Sequence, residues 1–146
     1  MTLTDDELSK VLTDLKYVPV QKLQAAQAKA KTERISLHDA LVRHDYLSED
    51  ELGKVAAYHY QLPYVALSKI NIPEGLLHLL PEEVAQRYQT LAFEVEDNTL
   101  HIATAQPAAT DLFDMLTKKV GAGNYRVSYA TETGISSALH LFKKEL

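Results

Sequence analysis

Residues 7–28, ELSKVLTDLKYVPVQKLQAAQA, and residues 36–57, SLHDALVRHDYLSEDELGKVAA, are two versions of one pattern. At an offset of 29 residues their apolar positions coincide, and so do Tyr17 and Tyr46. The matched apolar pairs are Leu8 with Leu37, Leu12 with Leu41, Val18 with Leu47, Leu23 with Leu52 and Ala28 with Ala57. We interpret them as a tandem repeat in which each helical hairpin buries its apolar face against the other. The alternative is a chance match between two amphipathic hairpins.

Capping patterns place the starts of these helices. Thr4 stands three residues before Glu7, and Ser48 three before Glu51, which is the spacing of a capping box. A second helix is expected to begin near Pro19, because proline is tolerated in a first turn, and to continue to about residue 31. A short third helix carries Leu37, Ala40 and Leu41. The first sixty residues are therefore predicted to form four helices.

The composition of the chain changes at Leu62-Pro63. Residues 63–67 are predicted to be extended, and a helix is predicted over residues 81–88. Leu91, Phe93 and Val95 alternate as in a half-buried strand, and Asp97-Asn98 turns the chain into a second strand. A helix with Leu112, Met115 and Leu116, a strand with Tyr125, Val127 and Tyr129, and a closing helix with Ile135, Ala138 and Leu139 follow. We predict an α+β fold, with a four-helix tandem-repeat subdomain over residues 1–62 and a small α/β subdomain with a three-stranded sheet over residues 63–146.

Composition excludes several classes of function. The 146 residues contain no cysteine, so disulfides, thiolate nucleophiles and cysteine-bound metals are ruled out. The net charge is −5, with scattered lysines and arginines, which argues against nucleic acid as a partner. Apolar runs are too short for a spanning helix, and the N-terminus lacks a signal-peptide pattern. We therefore expect a cytoplasmic protein without direct membrane insertion.

The sequence contains no catalytic pattern. Gly121-Ala122-Gly123 lacks the following lysine and hydroxyl residue of a phosphate-binding loop, so we predict no ATP hydrolysis by this chain. The six histidines show no metal-ligand spacing. The acidic run at residues 49–51 follows Ser48 at a helix start, where acids favourably meet the helix dipole. We predict neither an enzyme nor a cofactor.

Three tyrosines gather where the two halves meet. Tyr58, Tyr60 and Tyr64 flank the change in composition at residue 62. One interpretation is that their rings hold the two halves together. The other is a partner-binding surface, because tyrosine is frequent among interface anchors.

Three stretches of the second half follow one another as in a known family. They are LPYVAL at residues 62–67, LLPEEVAQRY at residues 79–88, and LHIA at residues 100–103 with Gln106-Pro107 beyond. With these stretches the chain resembles the N-terminal domain of type II secretion and type IV pilus assembly ATPases. It departs from the family pattern at Gln106, where aspartate is usual, and at Ala92, where proline is common.

The resemblance implies a non-catalytic adaptor. Domains of this family dock the motor to a membrane-anchored platform protein at the cytoplasmic face of the inner membrane. The expected partners are therefore that platform protein and, if this chain is a fragment, the ATPase core in cis. The expected location is cytoplasmic and peripheral to the inner membrane.

A subset of the family binds cyclic di-guanylate through such a repeat, which gives the alternative function. There each copy begins Arg-aliphatic-Gly and has a second glycine before an aliphatic pair. In this chain the three polar motif positions hold Glu7, Ser9 and Lys16 in the first copy and Ser36, His38 and Asp45 in the second. The residues that remain for a degenerate ligand site are Arg34, Leu8, Leu12, Leu37 and Leu41. The loss of the polar motif residues therefore favours the adaptor over the nucleotide sensor.

Overall fold

The computed structural model describes residues 3–109, 111–120 and 124–144. Its elements are α1 (Asp5–Leu15), α2 (Val20–Glu33), α3 (Leu37–Arg43), α4 (Glu49–Tyr60), a 3₁₀ turn (Leu67–Lys69), α5 (Glu74–Leu77), α6 (Glu82–Tyr88), β1 (Thr90–Glu96), β2 (Thr99–Thr104), α7 (Leu112–Val120), β3 (Tyr125–Tyr129) and α8 (Glu132–Lys144). The predicted α+β class is confirmed, since the chain combines eight helices among the described residues with a small three-stranded sheet, and its first four helices form the N-terminal part. The division of the chain at residue 62 stays a prediction.

Helices α1 and α4 begin where their capping boxes predict, and α2 begins directly after Pro19, as expected. Thr4 caps α1 and Ser48 caps α4, each within a complete capping box, and the Ser36 hydroxyl accepts from the N–H of Asp39 at the start of α3. Helix α5 was not predicted, because a single turn is too short to show a helical period. The helix with Leu112, Met115 and Leu116 is expected from the sequence to stop at Gly121, because glycine suits a helix C-terminus, and that residue lies outside the described residues.

The two copies of the repeat share one apolar core. Leu12 and Leu41 are fully buried, and α3 packs against both α1 and α2. The buried members of this core are Leu8, Val11, Leu12, Val18, Leu23, Ala26, Leu37, Leu41, Leu47, Leu52 and Val55. The matched leucines of both copies lie in this one cluster. The predicted burial of one copy against the other is therefore confirmed.

The sheet has the order β1-β2-β3. Strands β1 and β2 are antiparallel and joined by Asp97 and Asn98, which both have positive φ, as a tight hairpin turn requires. Strand β3 lies parallel to β2, and α7 makes the crossover between them. Apolar residues pack on both faces of the sheet, since Ala103 and Ile102 of β2 belong to different core clusters.

The predicted alternation along β1 is wrong at Val95. Thr90 to Phe93 are all buried, and Val95 is 56% exposed. The reason is an irregularity in pairing between Ala92 and Glu94, where an extra residue changes the register against β2. A bulge of this kind cannot be recognised from the alternation of apolar and polar residues in the sequence.

The chain after α4 runs along the sheet. The N–H of Val65 donates to the carbonyl of Tyr129 at 2.9 Å, and the N–H of Tyr129 donates to the carbonyl of Pro63 at 2.7 Å. The predicted extended segment ends one residue early, since the 3₁₀ turn begins at Leu67. These bonds tie the end of the helical repeat to strand β3.

Gly53 lets α4 approach this segment closely. A Cβ at Gly53 would collide with Cε1 of Tyr64 and lie 2.8 Å from Cγ2 of Thr131. We expect Gly53→Ala to lower the free energy of unfolding by about 1–3 kcal/mol, because the neighbours must shift to admit the methyl group. Chemical denaturation measures this change. Gly75→Ala is the matched control, since nothing lies within 4 Å of its added Cβ, and an equal loss in both variants would contradict the close contact.

Candidate binding surfaces

A cleft of about 340 Å³ lies where α3 and α4 meet the connection between β3 and α8. We call it the junction cleft. Ser36 and His38, two positions of the degenerate motif, are among its lining residues. Leu8 also reaches it, whereas Arg34 does not line it.

The junction cleft is acidic. Its charged lining residues are Asp39, Glu49 and Glu132, and none of its described lining residues is lysine or arginine. Nε2 of His38 lies 3.1 Å from Oε1 of Glu49, so the basic side chain in the cleft is already paired. An anionic ligand would meet repulsion here.

Carboxylates also occupy the places that an anion would need at the motif positions. Oδ1 of Asp5 accepts from the N–H of Leu37 at 3.1 Å, so a carboxylate of α1 already bonds the first turn of α3. Oε1 of Glu7 accepts from the N–H of Thr4 at 3.1 Å, and this bond chiefly lowers the pKa of Glu7. The residue at the expected arginine position therefore stays negatively charged at neutral pH.

The second glycine positions of the motif have a conformational explanation. Lys16 has φ of 52° and Asp45 has φ of 59°, so both are in the left-handed region that favours glycine. In the nucleotide-binding subset, the resemblance implies that glycine here also lets the backbone approach the ligand. The structure gives a second reason for glycine, because each position lies in the turn that directly follows the first helix of its copy.

The leucines of the predicted ligand site are part of the core. Leu8, Leu12, Leu37 and Leu41 are at most 3% exposed. Arg34 is exposed and caps the C-terminal end of α2 with a left-handed backbone. Core packing explains why apolar side chains occupy the four leucine positions. A ligand-binding role for these leucines and Arg34 stays a prediction.

The three tyrosines of the junction have different surroundings. The ring of Tyr60 stacks on Tyr129 with centroids 5.7 Å apart, and the Tyr64 hydroxyl donates to Oδ1 of Asp50 at 2.7 Å. Both contacts join α4 or its end to the sheet region, as the first interpretation expects. Tyr58 is 64% exposed.

The Tyr64–Asp50 bond predicts a pH dependence of stability. The hydroxyl of Tyr64 is the main cause that lowers the pKa of Asp50 below its ordinary value of 3.8. The stabilisation is complete above that value and is lost as pH falls through the lower folded pKa. We expect Tyr64→Phe to flatten the loss of stability below pH 3.8, as measured by denaturation at a series of pH values. Tyr125→Phe, whose hydroxyl contacts Thr117, should keep the wild-type slope, and identical profiles for wild type and Tyr64→Phe would contradict the bond.

Beside Tyr58 runs a groove of about 910 Å³. We call it the Tyr58 groove. Its apolar lining residues include Val11 of α1, Ala57 of α4 and Leu62, and charged side chains of α1, among them Lys10, also line it. An apolar groove with a charged border and an exposed tyrosine is a common composition for a protein-binding surface.

The histidines and the acidic run form no metal site among the described residues. His38, His44 and His59 each face one glutamate, at 3.1, 2.6 and 3.7 Å. No group of three or more histidine, aspartate or glutamate side chains in the described part of the chain could hold a metal ion. Each member of the run at residues 49–51 has its own partner, since Glu49 faces His38, Asp50 binds Tyr64, and Glu51 completes the cap of Ser48.

Sequence reasoning missed the far wall of the junction cleft. Tyr129, Thr131 and Glu132 come from a connection far along the chain from α4, and no short-range pattern links them to it. Gly53 did carry a signal, because glycine inside a helix often marks close packing.

Comparison with known proteins defines the class. The MshEN domain family matches residues 60–145, which is more than half of the chain. The chain therefore belongs to the MshEN domain family. The match covers the end of α4 and the sheet region, whereas most of the helical repeat precedes it.

The curated relatives are type IV pilus assembly ATPases. The chain is 23% identical over 138 residues to the type IV pilus assembly ATPase PilB of Myxococcus xanthus, covering 94% of the chain and 24% of that protein. It is 26% identical over 112 residues to the PilB of Thermus thermophilus, covering 75% of the chain and 13% of that protein. The chain thus spans a quarter or less of the length of these relatives.

Solved structures share the fold. The structure of MshE with cdg has a TM-score of 0.65 at 25% identity, covering 92% of this chain and 97% of that one. A structure of the N-terminal domain of XpsE has a TM-score of 0.56 at 15% identity, covering 96% of both chains. No helix among the described residues is both long enough and apolar enough to span a membrane.

Proposed function

We propose that this chain is a non-catalytic adaptor that docks a pilus or secretion ATPase to its inner-membrane platform protein. Its relatives are pilus assembly ATPases several times its length. The similarity to the N-terminal domain of XpsE supports the proposal that this chain is the N-terminal domain of such an ATPase, next to the catalytic core. The sequence lacks a phosphate-binding loop, so ATP hydrolysis would belong to that core. Docking would hold the motor at the cytoplasmic face of the inner membrane.

The observation that carries this proposal is the Tyr58 groove. Tyr58 exposes 64% of its surface on a helix whose other face is packed. Burial of an exposed tyrosine in an interface stabilises a complex through its large apolar ring and its hydroxyl group. The platform protein's cytoplasmic domain is the proposed occupant of this groove.

The sensor alternative receives less support. The cleft at the motif positions carries three carboxylates, and an aspartate already bonds the start of α3. A cyclic dinucleotide brings two phosphates, which favour cations and open backbone N–H groups. These features favour an adaptor.

The substitution Tyr58→Ala tests the groove. We expect it to weaken binding of the platform protein's cytoplasmic domain by at least about tenfold, because truncating an anchoring aromatic costs about 2 kcal/mol or more. Surface plasmon resonance measures the change.

The matched control is Tyr17→Ala. Tyr17 is also an exposed tyrosine, at 41%, and is not among the residues that line the groove. Its removal should leave the affinity unchanged. Equal affinities of Tyr58→Ala and Tyr17→Ala would exclude the groove as the docking site.

A further inference from the structure

A buried tyrosine lines the junction cleft, and its hydroxyl group has no hydrogen-bond partner among the described residues. Tyr129 is 5% exposed and lines the cleft, and its ring stacks on Tyr60. No fully buried side-chain nitrogen or oxygen in the described part of the chain lacks a partner. The Tyr129 hydroxyl therefore keeps some access to solvent. Glu49 and Glu132, which line the same cleft, are close enough to act on it electrostatically.

The charges around this hydroxyl are mostly negative. Asp39, Glu49 and Glu132 lie in the first turns of α3, α4 and α8, whose N-termini each contribute roughly half a positive charge. The three full negative charges of these carboxylates therefore exceed the summed partial positive charge of the three helix N-termini. Burial, followed by Tyr60 and then by the charges of Glu132 and Glu49, raises the pKa of Tyr129. Its oxygen stays protonated and can accept a hydrogen bond.

We propose that the junction cleft binds the guanidinium group of an arginine side chain from a protein partner. A guanidinium carries five N–H donors in a flat fork, which suits several carboxylates and a hydroxyl spread around one space. The acceptors would be the carboxylates of Glu132, Asp39 and Glu49, the last of which also faces His38, and the hydroxyl of Tyr129. One positive charge would offset much of the excess negative charge of the cleft.

The spread of the acceptors separates this ligand from a metal ion. The described residues contain no group of carboxylates and histidines close enough together to hold a metal. A metal ion needs its ligands at one point, whereas the N–H groups of a guanidinium point outward over several ångströms. An ammonium group is compact and strongly hydrated, so lysine fits this arrangement less well.

The arginine contact lies beyond the proposed docking site. It is on a different part of α4 from the Tyr58 groove, and it does not depend on which protein occupies that groove. Leu52 and Gly53 line the cleft, whereas Ala57 and Tyr58 line the groove.

The test is a titration of the isotope-labelled chain with N-acetyl-arginine amide, followed by amide chemical shifts in NMR spectra. This probe presents an arginine side chain as a peptide does. We expect saturable shifts at Gly53, Thr131 and Glu132, with a dissociation constant on the order of 1 mM for so small a ligand. N-acetyl-glutamine amide, which has no charge, should leave these shifts unchanged.

Two double variants separate a specific site from general charge. Glu49→Gln with Glu132→Gln should weaken the binding of the arginine probe by about tenfold or more, because two charge-assisted hydrogen bonds are lost. Glu94→Gln with Glu96→Gln removes the same charge from exposed positions of β1 and should leave the affinity unchanged. Absence of saturable shifts, or equal weakening in both variants, would overturn the inference. The titration contains no platform protein, so its failure leaves the proposed docking intact, and failure of the Tyr58 test leaves the cleft intact.

Discussion

Replacement of Leu12 or Leu41 by alanine is expected to lower the free energy of unfolding by about 2–5 kcal/mol for each site. Both side chains are fully buried in the core that the two copies of the repeat share. Truncation removes buried methyl groups and leaves a cavity between packed helices, which can close only in part. Losses of this size are a large fraction of the stability of an ordinary domain.

Leu79→Ala is the control for these two variants. Leu79 is 45% exposed, so the same truncation there should change stability by less than about 0.5 kcal/mol. Urea denaturation followed by circular dichroism compares the three variants. A loss below about 1 kcal/mol at both Leu12 and Leu41 would show that the two copies do not share a tight core.

Cyclic di-guanylate is expected not to bind at physiological concentration. The motif position that calls for arginine holds Glu7, and the hydrogen bond that it accepts from the N–H of Thr4 lowers its pKa and keeps it ionised. Loss of several charge-assisted hydrogen bonds, each about 1.5–3 kcal/mol, turns a micromolar site into one weaker than about 1 mM. Asp5 weakens nucleotide binding further, because its carboxylate already accepts the hydrogen bond from the N–H of Leu37. Calorimetric titration of the purified chain measures the affinity.

A low-micromolar dissociation constant would contradict this expectation and direct attention to Arg34. In that event Arg34→Ala should abolish the heat of binding, and Glu7→Arg should strengthen it. Lys22→Ala is a suitable control, since it also removes one exposed cation from the α2 region. Equal effects of the two alanine variants would indicate non-specific attraction of the phosphates.

Much of the fold could be predicted because its signals are local. The capping boxes at Thr4 and Ser48 and the turn at Asp97-Asn98 each lie within a few residues of the structure that they determine. The repeat was visible because a buried helix face needs apolar residues at fixed spacing. These signals depend on backbone geometry, which a short stretch of sequence specifies.

The candidate sites could be predicted only in part. The exposed Tyr58 was selected by residue type, but its neighbours Tyr60 and Tyr64 proved to pack within the chain. The junction cleft depends on Tyr129 and Glu132, which reach α4 through the parallel pairing of β3 with β2. Such contacts depend on tertiary packing across many residues, and no local pattern encodes them.

The central claim is that this domain acts through protein contact without a nucleotide signal. Calorimetric titration of the chain with the cytoplasmic domain of its platform protein, with and without cyclic di-guanylate, tests the claim directly. We predict saturable binding with the same affinity in both titrations. No binding, or binding that appears only with the nucleotide, would contradict the claim.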